Sequence, residues 1–161
     1  MQAPYEERLA DVLTLRLAPG PRHELVCARL LAALQASVAK FPGTKLLGLR
    51  TEVRFSPSNW LRPDLGVAAA ATGKLWLAAE VISADDHHTD TVLKKQLYED
   101  LKVARLWMVD PRYDNLEVYH ATAYGLKLHG ILAGRDVLAE PLLPEFRLSV
   151  AELFAPAPNP N

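Results

Sequence analysis

Residues 65–70 and 75–83 form two short segments that are apolar at almost every position and are separated by the turn residues Thr72 and Gly73. A strand with one solvated face alternates apolar and polar residues, whereas a strand that is covered on both faces is apolar throughout. The two segments therefore predict strands inside a covered sheet. A chain of 161 residues, half of them apolar, is long enough to enclose such a sheet in one domain.

Apolar residues at helical spacing predict one helix before these strands and another after them. Within residues 20–40, one face carries Val26, Leu30, Ala33, Leu34 and Ser37, and Pro42 with Gly43 ends the pattern. A second helix is predicted from Thr89 or Asp90, either of which can cap it, to about residue 104. Its buried stripe is predicted to consist of Leu93, Leu97, Leu101 and Ala104.

The remaining segments complete a mixed pattern of helices and strands. Strands are predicted at residues 46–55 and 105–110, a turn at 56–59, a meander over 115–121 and 124–130, and a short helix at 149–154. We therefore expect an α/β or α+β fold, with a mixed central β-sheet flanked by helices. Residues 1–155 are expected to form a single domain, and the proline-rich residues 156–161 a disordered or extended tail.

Charge and composition narrow the class of protein. The formal net charge is −1, so the overall charge gives no indication of a nucleic-acid partner. Cys27 is the only cysteine, which excludes an intramolecular disulfide and favours a reducing compartment. The N-terminal segment has no long apolar core, and no apolar window approaches the length of a membrane span. We expect a soluble, cytoplasmic protein.

Two carboxylates belong to the predicted strands, and each has a functional and a structural interpretation. Asp64 follows Pro63, where an acid is either a ligand at the mouth of a strand or an ordinary solvated boundary residue. Glu80 interrupts an apolar run, where a carboxylate is costly unless it is paired or metal-bound. The alternative for Glu80, a place on the solvated side of an edge strand, fits that run poorly, so a functional role is favoured.

Further polar residues lie beside the two helices. Lys94 and Tyr98 share a helix face with Asp90, so the Lys94 amine either reaches a site on the neighbouring strand or forms a surface pair with Asp90. Glu24 either adds a third acid to a metal site or interacts with the dipole of the first helix. Residues 85–88, Asp-Asp-His-His, offer transition-metal ligands, but adjacent histidines seldom face one ion, which favours a solvated loop.

The acids and the lysine suit one kind of chemistry. Two acids at the ends of adjacent strands, with an amine from the next helix, can hold a divalent cation and activate a water molecule. Sites in folds of this class gather where strand ends meet the loops that follow them. We therefore expect Asp64 and Glu80 to line one cleft, with Lys94 in reach.

The order of these motifs resembles one known family. The strings RPDLGVAAA from Arg62, AAEVIS from Ala78, D-x-x-x-K-x-x-x-Y from Asp90 and LWMVDP from Leu106 look like the pattern of the Uma-two family of restriction-endonuclease-like proteins. That family belongs to the PD-(D/E)XK nuclease superfamily and often has a histidine early in its first long helix, as His23 is here. The similarity covers nearly the whole chain, including the closing meander and the terminal helix.

The resemblance implies a restriction-endonuclease-like fold and a set of roles. Asp64 and Glu80, with the carbonyl of Val81, are implied to bind Mg²⁺ or Mn²⁺, and a lysine to orient or activate the attacking water. In the common superfamily pattern this lysine stands two residues after the second acid, where this chain has Ile82. The family's usual alternative is a lysine on the following helix, which corresponds to Lys94.

Two functions follow from these observations. The leading hypothesis is a metal-dependent DNA endonuclease that uses Asp64, Glu80 and Lys94, with Glu24 as an additional acid. The alternative is a catalytically inactive nuclease-like fold that serves as a binding or interaction module, which the overall charge and the displaced lysine favour. A small-molecule phosphodiesterase would use the same site. By analogy with enzymes that cut both strands of a duplex, the meander after Asp110 is a candidate surface for a homodimer.

Overall fold

A computed structural model describes residues 3–83 and 88–160, and the side chains of the second range from residue 91 onward. In chain order its elements are β1 (Tyr5–Leu9), β2 (Val12–Arg16), α1 (Pro21–Val38), β3 (Thr44–Leu47), β4 (Val53–Ser56), β5 (Asn59–Leu61), β6 (Leu65–Ala69), β7 (Leu75–Val81), α2 (His88–Asp100), β8 (Arg105–Asp110), β9 (Asn115–Thr122), β10 (Gly125–Ala133), β11 (Val137–Glu140), β12 (Leu143–Ser149) and α3 (Val150–Phe154). None of the helices described is long and apolar enough to span a membrane.

The largest sheet has six strands in the order β10-β9-β8-β7-β6-β3. Strands β7 and β8 run parallel, and the other neighbouring pairs are antiparallel. Parallel neighbours need a crossover connection, and α2 lies between β7 and β8 in the chain. The expected mixed central sheet flanked by helices is confirmed.

Hydrophobic clusters cover both faces of this sheet, which explains why β6 and β7 are apolar almost throughout. On one face, α1 packs its buried Leu30 and Leu34 in a cluster that includes Leu77 of β7. On the other face, Ala78 of β7 belongs to a cluster with Tyr98 of α2. Because side chains alternate along a strand, Glu80 points to the same face as Ala78, towards α2.

A second sheet, of four strands in the order β2-β1-β5-β4, was not predicted from the sequence. Strands β1 and β2 form a hairpin whose turn residues, Ala10 and Asp11, both have positive φ angles of 48° and 64°. Two-residue turns of this kind are usually recognised in a sequence by Asn-Gly or Asp-Gly, whereas this turn is formed by Ala10-Asp11. Leu9 and Leu61 join the cluster on the α2 side, so the small sheet covers part of that face.

Three predictions about boundaries and burial were wrong. Residues 46–55 are not one strand, because the chain turns at Arg50 (φ 54°) and gives β3 to the large sheet and β4 to the small one. Helix α2 ends at Asp100 rather than near residue 104, and Lys102 then adopts a positive φ of 59°. From residue 91 to the end of α2, the most buried residues are Lys94 and Tyr98, whereas the predicted leucine stripe is only half-buried.

Candidate active site

Asp64 and Glu80 are held together by the pairing of β6 with β7. Leu65 stands opposite Ala79 in the antiparallel register, so the positions next to them bring Asp64 and Glu80 to the same level of the sheet. The backbone N–H of Val81 donates a hydrogen bond to Asp64 Oδ2 at 2.8 Å. Both carboxylates are buried, with 2 % and 8 % of the residue exposed. The sequence-based expectation that they share one cleft therefore agrees with the geometry.

The inner face of α2 contributes Lys94 and Tyr98 to the same place. These residues are four positions apart and so lie one turn above the other on the helix. The Lys94 Nζ atom lies 2.7 Å from Glu80 Oε1, and the Tyr98 hydroxyl donates a short hydrogen bond to the same oxygen. The Lys94 amine thus reaches the neighbouring strand, and the residue is buried. The alternative pairing with Asp90 involves a side chain outside the described residues.

The N-terminal hairpin adds Glu7, which the sequence did not mark as a site residue. Its side chain is fully buried, and Oε2 lies 3.0 Å from Lys94 Nζ. Arg16 Nε donates to Glu7 Oε1 and the backbone N–H of Arg62 donates to Oε2, each at 2.8 Å. Glu7 is therefore a second carboxylate partner of the Lys94 ammonium group, beside Glu80. Only recognition of the hairpin, which puts Glu7 and Leu9 on one face, could have revealed this role.

A second arginine, Arg50, links Asp64 to Glu24. Arg50 Nη1 donates to Asp64 Oδ1 at 3.0 Å, and Nη2 donates to Glu24 Oε2 at 2.8 Å. Glu24 therefore lies in the neighbourhood of Asp64, as expected for a third acid, but its contact with Asp64 runs through a cation. The left-handed backbone of Arg50 is unfavourable for a residue with a side chain, and such strain is often found at functional sites.

His23, near the start of α1, completes the site. Its Nε2 lies 2.7 Å from the carbonyl oxygen of Val81 and 3.5 Å from Asp64 Oδ2, and its Nδ1 lies 3.1 Å from Glu24 Oε1. Helix α1 begins at Pro21, a residue that favours the first turn of a helix, so His23 lies in that first turn. This turn lies against the end of β7, where His23 contacts Val81. The carbonyl of Val81, expected to be a metal ligand, is thus occupied by the imidazole.

Burial and neighbouring charges shift the pKa values of these groups. Burial raises the pKa of Glu80 to about 7, with Lys94 opposing the shift and Asp64 and Glu7 adding to it. Burial would also raise the pKa of Asp64, but the hydrogen bond and charge of His23 hold it below its usual range. Burial opposes protonation of His23, yet its bond to Asp64 raises its pKa to about 11. The shifts of Asp64 and His23 describe one shared interaction.

The donor set fits a divalent cation. Asp64 and Glu80 supply carboxylate oxygens and Val81 a carbonyl oxygen, which are the ligands that Mg²⁺ and Mn²⁺ prefer, and His23 adds an imidazole nitrogen. Among the described residues, Lys94 and Tyr98 both contact Oε1 of Glu80, and the other carboxylate oxygen, Oε2, could serve as a metal ligand. A cavity of about 260 Å³ is lined by the four potential ligands, His23, Asp64, Glu80 and Val81. One side of the cavity is formed by β2 and the segment that follows it.

The sequence profile of the Uma2 family, described as "Putative restriction endonuclease", matches residues 7–151. The chain belongs to the Uma2 family. No curated protein matches it in sequence. The fold resembles that of a solved structure from Anabaena variabilis, described as a "putative nuclease belonging to DUF820", with a TM-score of 0.80, 15 % identity, and coverage of 94 % of this chain and 90 % of that one. At this identity the comparison supports the restriction-endonuclease-like fold alone.

In this Uma2 protein, the predicted residues Asp64, Glu80, Val81 and Lys94 converge, and Glu24 lies one arginine away. Ile82 stands at the position where the common superfamily pattern has its lysine. Residues 85–87 of the Asp-Asp-His-His run lie outside the described residues, as does the side chain of His88. Family membership and fold together place the protein among restriction-endonuclease-like proteins.

Proposed function

We propose that this Uma2 protein is a metal-dependent endonuclease that hydrolyses phosphodiester bonds in DNA. The observation that carries the proposal is the 2.7 Å contact between Lys94 Nζ and Glu80 Oε1. Ile82 stands two residues after Glu80, where the common superfamily pattern has its lysine. Lys94 therefore supplies the positive charge from α2 instead of from β7. Two acids and a lysine within one cavity form the minimal set for metal-assisted hydrolysis of a phosphodiester.

The proposed cofactor is Mg²⁺ or Mn²⁺, held by Asp64, Glu80 and the carbonyl of Val81, with His23 as a further ligand. A bound divalent cation lowers the pKa of water and stabilises negative charge on phosphate oxygens. His23 contacts both Asp64 and the Val81 carbonyl, so it holds these donors in place when no cation is bound. Coordination of a metal by the imidazole requires the neutral ring, so cation binding would release a proton from His23.

The other residues of the cluster position and charge the site. Burial would lower the pKa of Lys94, but the carboxylates of Glu80 and Glu7 raise it and keep the side chain an ammonium group. It therefore serves as a donor that orients water and stabilises negative charge, rather than as a base. Tyr98 and Glu7 hold Glu80 and Lys94 respectively. Glu24, the additional acid of the site, accepts a hydrogen bond from Arg50 and so holds this arginine in place.

DNA is the proposed partner, and the cytoplasm the proposed location. The net charge of −1 means that phosphate contacts would come from local groups rather than from the overall field. A homodimer would allow both strands of a duplex to be cut, and β10 offers exposed apolar residues, Leu128 and Ile131, at the edge of the large sheet.

The direct test is cleavage of plasmid and linear DNA with Mg²⁺ or Mn²⁺. We expect cleavage by the wild type, its loss on chelation, and a loss of at least roughly 100-fold in Asp64→Ala and Lys94→Ala. Lys45→Ala is the matched control, because Lys45 is an exposed lysine on β3, away from the cavity. Activity that persists without metal, or that is equal in all variants, would refute the proposal.

The alternative is a nuclease-like fold that serves as a binding module. It is favoured by the contacts that already neutralise the acids, since Arg50 holds Asp64 and Lys94 holds Glu80. A cation would have to compete with both. Calorimetry with Mn²⁺ distinguishes the two functions, because the absence of binding at millimolar metal favours the binding module.

A further inference from the structure

We propose a second metal site, for a thiophilic cation such as Zn²⁺ or Co²⁺, formed by His23, Cys27 and Asp64. One ligand atom from each residue lies within 4.8 Å of the other two. All three residues are more than nine-tenths buried. Imidazole, thiolate and carboxylate are the ligand types that Zn²⁺ takes in proteins, and thiolate disfavours Mg²⁺ and Mn²⁺.

The spacing of two ligands along α1 produces this cluster. His23 and Cys27 are four residues apart, so their side chains lie on one helix face, and that face is turned to the ends of β6 and β7. Cys27 Sγ lies 3.6 Å from His23 Nδ1, and His23 Nε2 lies 3.5 Å from Asp64 Oδ2. At ordinary Zn–S and Zn–N bond lengths, tetrahedral geometry separates sulfur from nitrogen by about 3.6 Å.

Binding requires small local adjustments. One ion takes one of the two ring nitrogens, so the imidazole must turn to bring that nitrogen towards both Sγ and the carboxylate. The hydrogen bond from His23 to the Val81 carbonyl is then given up, and Arg50 loses part of its contact with Asp64. The thiol proton of Cys27 and one ring proton of the protonated His23 imidazole leave to solvent, and the fourth position is open to water, as in metal sites with three protein ligands.

The consequence for the proposed nuclease is competition between two metals. His23 and Asp64 belong both to this site and to the proposed Mg²⁺ or Mn²⁺ site, so an ion bound by Cys27 withdraws Asp64 from catalysis. This consequence rests on the proposed function, whereas the thiolate site does not. We expect Zn²⁺ to inhibit the metal-dependent cleavage, and Cys27→Ser to raise the Zn²⁺ concentration needed by roughly tenfold or more.

Optical titration with Co²⁺ tests the site without any assay of activity. Because Cys27 is the only cysteine, a thiolate-to-cobalt charge-transfer band in the near ultraviolet has a single source in the chain. We expect this band in the wild type, its loss in Cys27→Ser and Cys27→Ala, and its weakening in His23→Gln. Ser37→Ala is the matched control, because Ser37 is a small, buried polar residue further along the same helix.

The outcomes separate the two proposals. Cobalt binding without the charge-transfer band, or no cobalt binding to the folded wild type, overturns the thiolate site. Circular dichroism of each variant verifies that the loss of the band is not a loss of fold. Absence of DNA cleavage with Mg²⁺ or Mn²⁺ refutes the nuclease while leaving the band unaffected, and cleavage that is insensitive to Zn²⁺ refutes the competition.

Discussion

The Nζ atom of Lys94 lies 2.7 Å from Oε1 of Glu80, although Lys94 belongs to α2 and Glu80 to β7. Glu80 interrupts an apolar strand, and Lys94 interrupts the inner face of a helix. Each would be costly to bury alone, and each removes much of the cost for the other. Glu7 Oε2 lies 3.0 Å from the same ammonium nitrogen. The cluster around Lys94 is thus also part of the packing between α2, the large sheet and the N-terminal hairpin.

Replacing Lys94 by methionine should destabilise the fold as well as abolish cleavage. The change leaves Glu7 and Glu80 buried without their shared cation, and breaking one member of a buried pair costs about 3–5 kcal/mol. The free energy of unfolding, measured with denaturant, should fall by that amount. Lys45→Met on β3 is the control, because Lys45 is exposed, and it should change the free energy of unfolding by less than about 0.5 kcal/mol. A Lys94→Met protein as stable as the wild type would show that the two acids are uncharged or solvated.

Much of this arrangement could be predicted from the sequence because it depends on local pattern. The apolar runs of β6 and β7, the periodicity of α1 and the strand at residues 105–110 are set by neighbouring residues, and their predicted places agree with the structure. Asp64 and Glu80 could be linked because they flank two strands joined by a short turn. Lys94 could be added because its helix follows directly.

Glu7, Arg50 and the hairpin could not be predicted, because their positions depend on contacts between distant parts of the chain. Glu7 is one of two adjacent glutamates, and nothing local distinguishes it from the exposed Glu6. Arg50 reaches Asp64 only because the backbone turns with a positive φ at a residue that is not glycine. The burial of Lys94 could not be predicted for a related reason, because the spacing of the leucines predicts that they form the inner face of α2, whereas Lys94 and Tyr98 are more buried than these leucines.

Removing the Tyr98 hydroxyl should weaken the support of Glu80. Tyr98 is fully buried and donates its hydrogen bond to a carboxylate, and hydrogen bonds to charged groups contribute about 1.5–3 kcal/mol. We expect Tyr98→Phe to lower the free energy of unfolding by about 2 kcal/mol and to reduce kcat more than it raises KM. Tyr119→Phe is the matched control, because Tyr119 also donates to a glutamate, Glu117, in a more exposed place. Equal effects of the two substitutions would contradict the assigned role of Tyr98.

The charge of Glu7 should make the fold sensitive to acid. Burial opposes ionisation of Glu7, but Lys94, Arg16 and the backbone N–H of Arg62 lower its pKa below the usual value of 4.5. A carboxyl group with a lower pKa in the folded state contributes stability that is fully present above the unfolded pKa, and this contribution is lost as pH falls through the folded pKa. Asp64 and Asp110, whose pKa values are also lowered, contribute in the same way.

Comparison of the wild type with Glu7→Gln isolates the contribution of Glu7 to the pH dependence of the free energy of unfolding. The variant should be less stable at pH 7, and the difference between the two proteins should shrink as the pH falls below about 4.5. The measurement is the free energy of unfolding in urea at several pH values. Glu6→Gln is the control, because Glu6 is exposed on the same strand. A difference that stays constant down to pH 2 would mean that Glu7 does not ionise in the folded protein.

Arg50 should limit the affinity of the site for divalent cations. Its guanidinium group lies 3.0 Å from Asp64 Oδ1, so a cation bound by Asp64 must share the carboxylate with a fixed positive charge. We expect Arg50→Gln to bind Mn²⁺ roughly tenfold more tightly, which corresponds to about 1.4 kcal/mol, as measured by calorimetry. The substitution should also lower the free energy of unfolding, since Glu24 and Asp64 lose their shared partner.

Arg54→Gln is the control for this effect. Arg54 lies four residues further along the chain and pairs with Glu52 at the surface, so its removal should leave Mn²⁺ affinity unchanged. Weaker Mn²⁺ binding in Arg50→Gln would mean that Arg50 holds Asp64 in its binding position and that this ordering outweighs the repulsion. Tighter binding together with reduced cleavage would assign Arg50 to the phosphate group of the substrate as well, because a guanidinium group beside the metal can stabilise the charge of the transition state.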